Sequence, residues 1–178
     1  MEQWSWEEFL HYGRSLLRSF QEGKLEEDEN ITGIEDHILR EDYLVQMLKL
    51  NNYMFTTGST NEPDTLFQPM WIEGYLNKHD ALALAKYLTR KGIYSIVQDP
   101  ITGENLSIYT GPDADLLNPQ DLPSILSGDI GMIPDQVKPH IEEILHASPL
   151  VGMVIEDPIL EHRTLYKTIK GFFDMRYK

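Results

Sequence analysis

The chain contains no cysteine. That excludes disulfides, thiolate metal sites and cysteine nucleophiles at once. It contains no apolar run of roughly eighteen residues, so the sequence predicts no membrane-spanning helix. Met1-Glu2-Gln3-Trp4 lacks the basic-then-apolar opening of a secretory signal. The expected setting is the cytoplasm of a cell or of an infected host. Basic residues are scarce: 15 Lys and Arg face 29 Asp and Glu, a net charge of −14. A field of that sign repels nucleic-acid backbones and anionic membranes, so direct binding to either is not expected. It suits solubility, or a partner protein with a basic surface.

Signatures of common chemistry are missing too. There is no Gly-x-Ser-x-Gly elbow, no Gly-x-Gly-x-x-Gly and no phosphate-binding Gly-Lys-Ser/Thr loop. Gly128-Asp129-Ile130-Gly131 reads as a turn. None of the six histidines pairs as His-x-His or His-x-x-x-His. His140 and His146 share a predicted helix, but six residues separate them by about 240° around its axis. No metal, cofactor or catalytic residue is therefore expected.

What is present is enough for a core: 41% of 178 residues are hydrophobic. Helical spacing predicts a first helix from Ser5 to Gln21, with Ser5 as N-cap, and a second from Ile34 to Leu50. Tyr53–Thr57 and Met70–Leu76 read as strands, separated by a polar loop from Gly58 to Pro69. Lys78–Arg90 is the clearest helix: Asn77 caps it, Leu82, Leu84, Ala85 and Leu88 face inward, and Gly92 closes it. Ile93–Val97 and Leu106–Thr110 flank turn residues Asp99–Asn105, which predicts a hairpin. Gly111–Pro134 is long and irregular. A helix from Asp135 to Ala147, a buried-type strand from Leu150 to Ile155 and a last helix from Glu161 to Met175 complete the pattern. The expected fold is α+β (mixed α/β), a small mixed sheet of about five short strands packed with about five helices. Residues 1–33 read as an N-terminal helix and acidic linker, and 34–178 as a single α/β domain. Trp4 and Trp6 are expected to pack the first helix down rather than to stand free.

Two features are candidates for function. The first is the block from Glu22 to Asp42, where nine acids face Lys24 and Arg40, with Glu26, Glu27, Asp28 and Glu29 consecutive. Such a block is a solvated face or a docking surface for a basic partner. The second is Thr57 and Ser59, followed by Gln68 and Glu73. If the two strands pair, these four residues line a polar pocket in which Glu73 serves as a general base.

Phe55-Thr56-Thr57-Gly58-Ser59 and Gln68-Pro69-Met70-Trp71-Ile72-Glu73-Gly74-Tyr75 also resemble, in order, two motifs of an uncharacterised family of small actinobacterial and large-DNA-virus proteins. The closing strand, Asp157-Pro158, Arg163 and a last amphipathic helix are similar as well. The sequence departs from that pattern at Thr60-Asn61, where the family has Gln-Pro. The resemblance covers about a quarter of the chain. It implies a fold and no activity.

The leading expectation is a non-enzymatic acidic binding or inhibitor protein acting by protein–protein contact. Such a protein, for example a viral or phage accessory factor, would block a basic, nucleic-acid-binding surface. The alternatives are a small-ligand binder or hydrolase using Thr57, Ser59, Gln68 and Glu73, and a structural or assembly subunit.

Overall fold

Leu150-Val-Gly-Met-Val-Ile-Glu-Asp157 is apolar at nearly every position, which suits a strand covered on both faces. It forms the centre of the sheet. In the computed structural model, which describes residues 4–22, 24, 41–60, 70–109, 138–157 and 165–178, all eight residues of this strand are buried. The chain order is α1 (Trp6–Gln21), α2 (Glu41–Leu50), β1 (Phe55–Thr60), β2 (Met70–Asn77), α3 (Lys78–Thr89), β3 (Tyr94–Gln98), β4 (Asn105–Tyr109), α4 (Lys138–Leu145), β5 (Leu150–Asp157) and α5 (Leu165–Arg176). The strands lie in the order β1-β2-β5-β3-β4.

The α+β class stands, with five helices and five strands among the described residues. The expected mixed sheet does not: every pairing among the described residues is antiparallel. Alternation of strands and helices along the chain suggested parallel neighbours. Instead, α3 carries the chain from β2 to β3 two positions along the sheet, and β5 fills the gap between them, antiparallel to both.

Alternation along the strands sends side chains to two faces. Ile72, Leu76, Val97, Val151, Met153 and Ile155 belong to the larger core cluster, with Met47 and Leu50 of α2, Leu84 and Leu88 of α3, and Ile169 and Phe173 of α5. Phe55, Tyr75 and Leu150 belong to a second cluster with Phe9 and Leu10 of α1 and Ile141 and Ile144 of α4. Helix α1 therefore adds to the core on the second face, while its Leu17 reaches the first cluster.

Local sequence explains the ends. The Ser5 hydroxyl accepts from the Glu8 N–H at 3.2 Å, and the Glu8 carboxylate accepts from the Ser5 N–H at 2.6 Å. This reciprocal pair satisfies two backbone donors that the first turn leaves open. The Asn77 side chain accepts from the His79 N–H at 2.9 Å, as the sequence predicts for a cap. Gly92, at φ +74°, closes the turn after α3, a conformation unfavourable for residues with a Cβ. Leu82 is only half-buried; Asp80 and Ala81 take the inward positions instead.

The β3–β4 hairpin forms as expected, its turn fixed by Asp99 Oδ1, which accepts from the N–H groups of Ile101 and Thr102 at 2.9 Å each. Those two bonds favour the charged carboxylate and hold Asp99 below the ordinary aspartate range.

Candidate functional site

Among the expected pocket residues, the structure brings Thr57 and Glu73 together. β1 opposes β2 with Thr56 facing Gly74 and Gly58 facing Glu73, so Thr57 is an extra residue, a bulge in an edge strand. Its hydroxyl, in a residue only 9% exposed, donates to Glu73 Oε1 at 3.3 Å. Ser59 sits in register opposite Ile72. Gln68 lies outside the described residues, as do Glu26, Glu27, Asp28 and Glu29.

Two residues beyond Glu73, and on the same phase of β2, lies Tyr75. Its ring is in the second core cluster and its hydroxyl is buried without a hydrogen-bond partner among the described residues. Burial first, and then the negative charge of Glu73, push its ionisation far above the ordinary tyrosine range. Across the central strand, Tyr75 faces Gly152, which in turn faces Gln98 of β3. Gln98 is buried and donates from Nε2 to Asn105 Oδ1 at 2.6 Å.

Sequence reasoning passed over the end of β5. Glu156 and Asp157 are 3% and 1% exposed. The register sets Glu156 between Trp71 of β2 and Tyr94 of β3, and Asp157 opposite Met70. The available signal was two acids continuing an otherwise apolar run.

Two Glu-x-x-His pairs also exist, Glu8/His11 on α1 and Glu143/His146 on α4. Among the described residues, no three His, Asp or Glu side chains come together as a metal would need. No helix of the described residues is long and apolar enough to cross a membrane.

The N-terminal tryptophans pack, as expected. Trp4 stacks on His140 of α4 with ring centroids 3.9 Å apart and an interplanar angle of 21°. It also meets Tyr12 edge-on at 5.1 Å. Trp6 leans on Phe9 at 5.9 Å.

Charge divides unevenly over the sequence. The described residues carry fourteen Asp and Glu against thirteen Lys and Arg, a net charge of −1. The other −13 of the total falls on residues 1–3, 23, 25–40, 61–69, 110–137 and 158–164, which hold only two bases, Arg40 and Arg163. Comparison with models of known protein families and with curated protein sequences gives no match.

Proposed function

We propose that the chain is a non-enzymatic binding protein that works by protein–protein contact with a basic partner. Its acids would occupy a surface that otherwise takes nucleic-acid phosphates. A viral or phage accessory role in the cytoplasm goes with that reading. The carrying observation is the division of charge. Solubility needs only acids scattered over a surface, whereas here half of the net charge, nine acids against two bases, falls between Glu22 and Asp42. Concentrated charge raises encounter rates with an opposite surface and makes binding steeply salt-dependent.

A pull-down from the native host identifies the partner. Its affinity is then measured at low and high salt for the natural chain and for one with Glu26, Glu27, Asp28 and Glu29 replaced by Gln or Ser. Binding should weaken with salt and with the substitutions, and a nucleic acid should compete for the partner. Affinity indifferent to both salt and substitution would dispose of the electrostatic reading. In that case the Thr57–Glu73 bond favours a second reading, a small-ligand binder or hydrolase. Glu73→Gln would abolish that activity by removing the base.

A further inference from the structure

One side of α1 presents Glu7, Glu8, His11, Tyr12 and Ser15, at offsets that place them along one helical stripe. With Trp4 at its end, this stripe lines a cavity of about 470 Å³. The aromatic wall is braced: Trp4 stacks on the His140 ring of α4 and meets Tyr12 in a T-shaped contact, and the Tyr12 and His140 rings lie 6.3 Å apart. Glu7, Glu8 and His11 are exposed at the rim. The Glu8 carboxylate is fixed by the Ser5 N–H, which first of all holds its ionisation below the ordinary range. No Lys or Arg is among the described lining residues.

We propose that this groove seats an arginine side chain of the partner protein. The inference rests on the reading of the chain as a binder of a basic protein, and it names the group recognised. Flat aromatic surface beside two carboxylates matches a guanidinium, which stacks on rings through its plane and donates from its edge. An ammonium is a compact, strongly hydrated point charge and uses the plane less well. Acids alone attract both cations alike; this groove distinguishes them by shape.

The test uses the full chain, labelled with nitrogen-15 and titrated with a six-arginine and a six-lysine peptide. Backbone amides and the three tryptophan indole N–H signals report the site. Shifts should concentrate on the Trp4 indole and on residues 4–15, with the arginine peptide bound about threefold tighter or more. Glu7→Gln combined with Glu8→Gln should weaken the arginine peptide about fivefold, a loss within the range of two exposed charge pairs. Glutamine still completes the capping box, so the helix survives. Tyr12→Leu, checked for fold by circular dichroism, should remove the preference for arginine. Equal affinity for the two peptides, shifts confined to residues 25–40, or no loss in the groove variants would overturn the groove. So would a failure of the arginine peptide to bind. The reading of a basic partner fails separately, on salt-indifferent binding of the native partner.

Discussion

The Asn51 side chain holds Thr56 from both ends: Nδ2 donates to Thr56 Oγ1 at 2.9 Å, and Oδ1 accepts from the Thr56 N–H at 3.1 Å. The same amide donates to the Met47 carbonyl at 2.8 Å, and the Asn51 carbonyl accepts from Arg14 at 2.9 Å. One residue, 1% exposed, thus ties α1, the end of α2 and the start of β1. Replacing Asn51 by Ala removes all three side-chain bonds and leaves the Thr56 N–H buried without a partner. The expected cost is about 2–3 kcal/mol, read from the midpoint of urea unfolding. A loss typical of an exposed asparagine would show that the junction is held otherwise.

At Gly74, β2 lies too close to β1 to admit a side chain. A Cβ there would stand 2.3 Å from the Phe55 carbonyl oxygen and 2.9 Å from its carbon, both backbone atoms that cannot turn aside. Gly74→Ala should cost about 3 kcal/mol, through loss of β1–β2 pairing. Gly13→Ala is the informative contrast. Its Cβ would meet side chains rather than backbone, the Phe55 ring at 2.8 Å and Asn51 Oδ1 at 3.2 Å, and alanine returns up to about 1 kcal/mol of helix propensity. Its net cost should stay below that of Gly74→Ala. Thermal unfolding of the two variants side by side decides; equal losses would contradict the register.

These contacts mark how far the sequence could be read. Helices with a cap and an apolar stripe, such as α3, announce themselves because their signals are local. The hairpin after Val97 does so too, through Asp99 and its turn. The all-antiparallel sheet was not legible, because β5 enters between β2 and β3 from far along the chain, and no local pattern encodes that pairing. Nor was the burial of Asp80, Glu156 and Asp157, which a charge count assigns to solvent. Of the candidate pocket, the Thr57–Glu73 contact followed from pairing two strands that the sequence did suggest. The bulge that places Thr57 there carries no sequence mark beyond Gly58.

Asp80, in the first turn of α3, anchors the end of the chain. Arg176 Nε donates to its Oδ1 at 2.6 Å, and the Tyr177 hydroxyl lies 2.7 and 2.6 Å from its two carboxylate oxygens. Asp80 is 5% exposed, so the carboxylate relies on these partners. Asp80→Asn should cost about 1–2 kcal/mol and Tyr177→Phe about 1 kcal/mol. The double variant should lose less than the sum, because both changes break one network. Strict additivity in a double-mutant unfolding cycle would show the two contacts to be independent.

Tyr75 gives the pH prediction. Its hydroxyl is buried with no partner among the described residues, so Tyr75→Phe removes a desolvated polar group while keeping the ring in the second core cluster. The variant should be more stable than the natural chain by about 1 kcal/mol near neutral pH. In the folded chain, burial and then Glu73 hold the phenol protonated far above the ordinary range, while in the unfolded chain it ionises near pH 10. The folded state therefore binds the proton more tightly. Stability from this group is complete below about pH 10 and falls as the pH rises above it, by up to about 1.4 kcal/mol per unit. Tyr75→Phe should flatten that alkaline fall in part. Tyr177, whose ionisation is also raised, chiefly by burial and then by its bond to Asp80, keeps a smaller share of the slope. Urea unfolding at several pH values from neutral to alkaline reads both effects. A phenylalanine variant that is less stable at neutral pH would mean that the Tyr75 hydroxyl is bonded in solution, and an unchanged alkaline slope would mean that it ionises freely.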